Sequence, residues 1–324
     1  MGRHITVTVG PLVAGDPDVI STLQTPLARA IAINGALTDG GTANNIAQSQ
    51  TPAGAGNLTL NGTLVSGGVA YLGTNRHIYI TSAGDDSGDT FTITGLFQTA
   101  QGLVSQVESI AGANTSIAAT TKTFYSISQI AVSGATAAAI TVGRGGVATL
   151  DVARRVIITS GADDTDVTFT ITGTNASGLS QVETLVGASG AAAQSALDFK
   201  TVISVVPSAA VATTVTVGTN GVASSPWVRF DDYAAHAEVA IQATVTGTAN
   251  GTIQQTMQDT DPASPVDKVA PDDITWVNHP DAALVAFTTT VQGNYAYSPI
   301  FARVVLNSGT GSISTGFRQV FLGH

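Results

Sequence analysis

The feature that most constrains the fold of this chain is an internal repeat, because residues 68–146 align with residues 146–221. Each copy contains the tripeptide ITS, a pair of aspartates and then FTITG, which occupies residues 91–95 in the first copy and 169–173 in the second. Both copies continue into SQVE, and the first copy is longer just before it, where QTAQG faces NASG. A repeat of this length predicts two tandem copies of one structural unit.

The pattern within each copy is typical of short β-strands, since apolar and polar residues alternate and β-branched residues are frequent. The side chains predicted to face inward are Ile78, Ile80, Phe91 and Ile93, and those predicted to face outward are Tyr79, Thr81, Thr92 and Thr94. The turns at residues 83–86 and 161–164 contain Gly and Asp, which tolerate tight backbone geometry. Each copy is therefore predicted to be an antiparallel, Ig-like β-sandwich of about six or seven strands.

The sequence outside the repeat predicts two further regions. Residues 1–67 begin with a strand-like ITVTV, continue as a polar, glycine-rich stretch with a helix-compatible patch at 27–33, and are predicted to be an extended arm that docks onto a partner. Residues 225–324 hold both tryptophans and are predicted to form a C-terminal β-sandwich or jelly-roll-like domain. Its strands are predicted at 238–246, 251–257, 283–291 and 301–306, around an Asp- and Pro-rich loop. The repeats themselves are assigned to residues 68–145 and 146–224.

Composition excludes several classes of function. Charged residues are only 10% of the chain, but the hydrophobic fraction of 43% is too high for a disordered protein. The net charge of −10 opposes binding to a nucleic-acid backbone. No run of eighteen apolar residues occurs and the N-terminus does not have the pattern of a signal peptide, so no membrane association is predicted. The absence of cysteine excludes disulfides and thiolate metal sites.

The carboxylate pairs are the first residues to test for chemistry. Asp85 with Asp86, Asp163 with Asp164, and Asp272 with Asp273 could bind a cation or act as acid and base, but the spacing of a calcium loop is absent. We interpret them as turn residues. The histidines show no metal-ligand spacing, and they are His4, His77, His236, His279 and His324.

Aromatic residues in the C-terminal domain leave two interpretations open. Trp276, Tyr295, Tyr297 and Phe301 could line a sugar-binding face, although such side chains more often fill a core or a subunit interface. No nucleophile elbow, phosphate-binding loop or dinucleotide fingerprint occurs. The sequence therefore predicts a protein that is not an enzyme, with no catalytic, cofactor-binding or metal residues and no cofactor.

Three segments of the chain resemble virion structural proteins of tailed bacteriophages. They are IAQSQTPAGAGNLTLNGTLVSGGVA at residues 46–70, the two ITS…DD…FTITG copies followed by SQVE, and DDITWVNHPDAALVAF with GNYAYSPIFARVVLNSGTGS near the end of the chain. The resemblance implies a non-enzymatic virion protein, synthesised in the host cytoplasm, that decorates or cements the capsid. A tail, collar or fibre component is the alternative within the same class.

The resemblance also implies the partners, which are the major capsid or tail proteins and further copies of the chain. A homo-oligomer is expected because short strands are stabilised when symmetric neighbours cover their edges, with a trimer as one arrangement. Neither a nucleic acid nor a membrane is expected as a partner. Two alternatives of other classes stay open at this point, a bacterial surface adhesin and a carbohydrate-binding module confined to the C-terminal domain.

Overall fold

The structure is a computed structural model that describes residues 3–10, 15–16, 18, 20–24, 31–33, 35, 38–39, 42–99, 101–231, 238–260 and 269–320. It confirms the predicted fold class, because the described chain is all-β and its strands pair antiparallel. Hydrophobic side chains collect in three main cores, one for each repeat and one for the C-terminal domain. No described helix is long and apolar enough to span a membrane.

The first repeat forms a sandwich together with part of residues 1–67. The strands of the N-terminal segment (residues 1–67) are β1 (Arg3–Val9), β2 (Ser21–Gln24), β3 (Thr38–Asp39), β4 (Thr42–Gln50), β5 (Gly56–Asn57) and β6 (Val65–Ser66). Those of the first repeat are β7 (Val69–Arg76), β8 (Ile78–Ser82), β9 (Thr90–Thr99), β10 (Gly102–Ala111), β11 (Ile117–Ala119), β12 (Phe124–Val132) and β13 (Ile140–Arg144). One sheet has the order β10-β9-β12-β7-β6, with β5 on β12, and the facing sheet has the order β11-β8-β13-β4.

The inner faces of these two sheets carry the residues that the alternation predicts. Ile78, Ile80, Phe91 and Ile93 are all fully buried in the core of the first repeat. Tyr79 is an exception to the predicted outward set, because it is also buried. Its hydroxyl accepts a hydrogen bond from the backbone amide of Ile33 at 2.5 Å, so the N-terminal segment covers a face that the local pattern assigns to solvent.

The second repeat follows the same path with fewer, longer strands. They are β14 (Val147–Ser160), β15 (Thr168–Thr174), β16 (Ser180–Val186), β17 (Ala192–Pro207) and β18 (Val215–Ser224). β14 replaces β7 and β8, and β17 replaces β11 and β12. Register shifts between β14 and β17 bend these long strands, so that each contributes to both layers of the sandwich. The hairpin β9–β10 has strands of ten residues where β15–β16 has strands of seven, in agreement with the unequal loops.

The C-terminal domain is a third sandwich. Its elements are β19 (Val228–Arg229), β20 (Glu238–Thr246), β21 (Ala249–Thr256), β22 (Val277–Asn278), a 3₁₀ turn (Ala282–Leu284), β23 (Val291–Tyr295), β24 (Phe301–Gly309) and β25 (Ser312–Val320). The sheet β1-β25-β20-β23 packs on the layer that contains β24 and β21. β18 ends at the predicted junction and pairs with both β14 and β24, so one strand joins the second repeat to the C-terminal domain.

One predicted strand of this domain is wrong. Residues 283–291 alternate, but the 3₁₀ turn occupies their start and Ala286 has a positive φ of 54°. Asp281 caps the turn by accepting a hydrogen bond from the amide of Ala283 at 2.9 Å, which favours a turn over an extended chain. The strand begins at Val291 instead. The predicted helix-compatible patch lies outside the described residues except for residues 31–33, which are not helical.

The N-terminal segment does not lie apart from the sandwiches as an arm. β1 pairs with β25 of the C-terminal domain, β2 with β18 of the second repeat, and β4 with β13 of the first repeat. The segment therefore pairs first with the C-terminal domain, then with the second repeat and last with the first repeat, which is the reverse of their order in the chain. Its side chains enter all three cores, and those buried there include Val9, Ile20, Ile31, Ile33, Ile46, Ala47 and Leu58. A local pattern does not predict this course of the N-terminal segment, because each sandwich pairs with a strand that its own part of the sequence does not supply.

Candidate functional surfaces

In each of the two repeated aspartate pairs, the first aspartate forms hydrogen bonds within its turn and the second is buried. Asp85 accepts hydrogen bonds from the amide and hydroxyl of Ser87 at 3.1 and 2.6 Å, and Asp163 does the same with Thr165 at 3.2 and 2.7 Å. These hydrogen bonds lower the pKa of both carboxyl groups. Each first aspartate thus stabilises its own turn.

The second aspartate of each pair is buried, which the sequence did not indicate. Asp86 accepts a hydrogen bond from the amide of Ala137 at 2.6 Å, and Asp164 accepts one from Ala212 at 2.7 Å. Each carboxylate thereby fixes the loop before the last strand of its sandwich. Within the described ranges, no group of three or more His, Asp or Glu side chains could hold a metal ion.

The third pair lies where the C-terminal domain contacts the second repeat. Asp272 accepts a hydrogen bond at 3.3 Å from the backbone amide of Val182, which lies on the edge strand β16. Asp273 is exposed and its amide donates to the carbonyl of Ala270 at 3.0 Å. Asp272 therefore joins the C-terminal domain to the second repeat within the chain.

The described histidines lie in separate places. His4 is exposed on β1, while His236 and His324 lie outside the described residues. His77 is buried and its Nδ1 donates to the carbonyl of Thr120 at 2.8 Å, and burial lowers its pKa. His279 is buried against Tyr295, with ring centroids 4.4 Å apart, and burial lowers its pKa too. In the described part of the chain, no Ser or Thr hydroxyl bonds to a histidine ring.

The aromatic residues of the C-terminal domain pack rather than form an exposed platform. The ring of Trp276 lies 5.2 Å from that of Trp227, which in turn lies 5.8 Å from Phe301. Phe301 and Tyr295 are buried, and of the four aromatic candidates Tyr297 alone is more than a third exposed. The amide of Trp227 donates to the hydroxyl of Ser177 at 2.9 Å, so the cluster lies against the second repeat.

A buried ionic cluster joins the same two modules, and it was missed at the sequence level. Asp198 of β17 accepts hydrogen bonds from Arg155 at 2.8 Å and from Arg303 of β24 at 3.1 Å. The Arg303 guanidinium also lies over the Trp276 ring, 4.4 Å from its centroid, and burial lowers the pKa of Arg303 to about 10. The sequence does contain an indication of this cluster. When the two repeats are aligned, Asp198 and Arg155 stand opposite Thr123 and His77, and that pair cannot form the same cluster.

Two equivalent edge strands expose apolar side chains. β10 pairs with β9 and β16 pairs with β15, and each is the last strand of its sheet in the described chain. Their exposed apolar side chains are Leu103, Val104 and Val107 on β10, and Val182 and Val186 on β16, with Leu179 directly before β16. Long apolar edges of this kind pair readily with other chains. They are the surfaces best suited to assembly.

The two edges differ in what covers them. The C-terminal domain reaches β16 through Asp272, as described above. On β10, the equivalent residue Val107 accepts a hydrogen bond through its carbonyl from Lys122 of the same sandwich at 2.9 Å. The first repeat therefore presents its apolar edge without a neighbouring domain bonded to it at this position.

Comparison of the chain with protein-family models, with curated proteins and with solved structures finds no match.

Proposed function

We propose that this protein is a non-enzymatic structural component of a tailed-phage virion that decorates or cements the capsid. The resemblance of its sequence segments supports the class of particle. The observation that carries an assembly role is the β10 edge, which exposes Leu103, Val104 and Val107 at the end of a sheet. Such an edge is stabilised when a neighbouring subunit covers it.

The construction of the molecule also supports a mechanical role. The N-terminal segment hydrogen-bonds to all three sandwiches, and β18 is shared by the second repeat and the C-terminal domain. Asp198 links the same two modules through a buried ion pair. A protein tied in this way resists bending between its modules, as a cement on a pressurised shell requires.

The first experiment locates the protein in a particle. Purified virions carrying a C-terminal label are imaged by electron microscopy, and label spread over the shell is the expected result. Label at a single vertex would instead assign the protein to the tail or collar. Absence of the protein from particles would overturn the proposal, and its recovery on bacterial cells would favour an adhesin.

The second experiment tests the edge with a matched pair of variants. Val107→Lys places a charge on the β10 edge, and Val182→Lys places one at the equivalent position of β16, where the exposed fractions are 47% and 42%. We expect Val107→Lys to lower the copy number per particle and Val182→Lys to leave it unchanged, with equal thermal stability of the isolated variants. Normal incorporation of a folded Val107→Lys variant would contradict a role of this edge.

A further inference from the structure

The outer face of the C-terminal sheet β1-β25-β20-β23 forms an open groove with a volume of about 620 Å³. A volume of this size lies within the range of about 300–1,000 Å³ that is usual for small-ligand sites. All four strands contribute side chains to it, and the opposite face of the same sheet packs in the core. The groove is therefore built on a rigid support.

The register of the strands arranges the groove in three parallel rows. One row runs from His4 through Arg318 to Ala240, and the next from Gly316 through Gln242 to Gln292. The third row contains the hydroxyl groups of Ser314 and Thr244. The outer rows are about 14 Å apart, since each residue advances about 3.4 Å along an antiparallel strand.

The middle row creates the depth of the groove, because Gly316 has no side chain. An added Cβ at Gly316 would meet Nε2 of His4 at 3.1 Å and no backbone atom within 4 Å. Its backbone is not in the left-handed region. Gly316 thus gives the His4 ring room to lie over the middle row, where a larger side chain would press against it.

The first row contains the guanidinium of Arg318 beside the imidazole of His4. His4 and Arg318 lie directly opposite each other on neighbouring strands, and both are exposed. Neither forms an ion pair with a described residue, whereas Arg154, Arg155, Arg229 and Arg303 all do. The lining contains no carboxylate, and Glu238, on the outer face of β20, lies outside it. In a chain of net charge −10, this is a local site for an anion.

The uncharged polar side chains of the lining are Gln242, Gln292, Ser314 and Thr244, and the rest of it is formed by Ala240, Ile241, Gly293 and Gly316. Gln242 and Gln292 are directly opposite each other on β20 and β23, and the hydroxyls of Ser314 and Thr244 lie one row away. Side-chain amides and hydroxyls both donate and accept hydrogen bonds, as the hydroxyl groups of a polyol require. A planar guanidinium at one end matches a carboxylate or phosphate group.

We infer that this groove binds an anionic, polyhydroxylated chain, with its acid group on Arg318 and His4 and its hydroxyls on the amide and hydroxyl rows. Acidic polysaccharides and polyol phosphates share this chemistry. The site shares no residue with the exposed strands β10 and β16 and does not require a particle, so it can be tested on the isolated protein.

The test is affinity electrophoresis of the full chain through gels that contain polygalacturonate, poly(glycerol phosphate) or neutral dextran. An acidic protein is repelled by both charged polymers overall, so retardation requires a specific site. We expect retardation by at least one charged polymer and none by dextran, and the polymer that retards identifies carboxylate or phosphate as the preferred acid. Absence of retardation in both charged gels would overturn the inference, as would equal retardation in dextran.

Three variants test whether the groove causes the retardation. Arg318→Gln removes the guanidinium and is expected to weaken binding about tenfold or more. Gly316→Thr fills the middle row and is expected to abolish binding, and its folding is checked by thermal unfolding. Arg3→Gln is the matched control, because it removes the same charge from β1 one residue from His4, with its side chain directed to the carbonyl of Arg229. Equal weakening by Arg318→Gln and Arg3→Gln would show a general charge effect and overturn the site.

Discussion

At the scale of single residues, the two repeats use equivalent glycines to bring strands close together. Gly95 and Gly173 each end the FTITG motif, and a Cβ at either would collide with a backbone carbonyl of the adjacent strand, that of Ser126 or Thr201. The ring of Phe124 or Phe199 lies against the same position. These glycines are required by close packing, since neither has a positive φ.

Replacing Gly173 with alanine is expected to lower the free energy of unfolding by about 1–3 kcal/mol, the usual cost of overpacking. Gly88→Ala is the control, because no atom lies within 4 Å of an added Cβ there and the change should stay within about 0.5 kcal/mol. Urea denaturation of both variants measures the difference. Equal stability of the two variants would contradict the steric explanation.

His77 gives a pH dependence whose sign follows from burial. Its pKa is lowered in the folded state, whereas in the unfolded chain the imidazole protonates near pH 6.5. The unfolded state therefore binds more protons in this range, and stability falls as the pH drops below about 6.5. We expect His77→Gln to reduce the loss of stability between pH 7.5 and 5, with a remaining slope from His279, whose pKa is lowered in the same direction.

The comparison uses urea midpoints at each pH. Parallel pH profiles for the unchanged chain and His77→Gln would exclude His77 as the source of the effect.

At the scale of elements, long strands of the second repeat carry contacts that the first repeat lacks. β17 presents Asp198 between Arg155 and Arg303, and so links β14 to β24 of the next module. The carboxylate is almost fully buried, with 1% of its side chain exposed. A buried carboxylate is stable only while its arginine partners compensate its charge, and the arginines need the carboxylate for the same reason.

Asp198→Asn is expected to lower the free energy of unfolding by about 3 kcal/mol or more, because it leaves two arginines without their buried counter-ion. Asp273→Asn is the control, because Asp273 is exposed and forms no ion pair with a described residue. Its expected change is within about 0.5 kcal/mol. Calorimetry on both variants decides this, and similar losses for the two would contradict the role of burial.

At the scale of the whole molecule, the chain begins and ends in one sandwich. Arg3 of β1 pairs with Gln319 of β25, so both described ends lie in the C-terminal domain. Between them the N-terminal segment runs to the first repeat, and the chain returns through the repeats. The three sandwiches are therefore held by a segment that the sequence marked as a separate docking arm, and that docking role stays a prediction.

Deleting residues 1–67 is expected to prevent cooperative folding of residues 68–324, since it removes buried side chains from three cores and at least one strand from each sandwich. Circular dichroism and thermal unfolding of the truncated chain measure this. Adding the 1–67 peptide during refolding should restore the transition. A truncated chain that unfolds cooperatively near the melting temperature of the full chain would contradict this expectation and support an independent arm.

The sequence by itself determined the all-β class, the two repeats, the inward-facing residues of the first repeat and the turn aspartates, because alternation and turn chemistry are local properties. It could not determine the course of the N-terminal segment, the burial of Tyr79 beneath it or the cluster around Asp198. It also predicted a strand at 283–291 that a capped 3₁₀ turn replaces. These features depend on residues far apart in the chain, whose meeting is decided by the packing of three sandwiches and not by any local pattern.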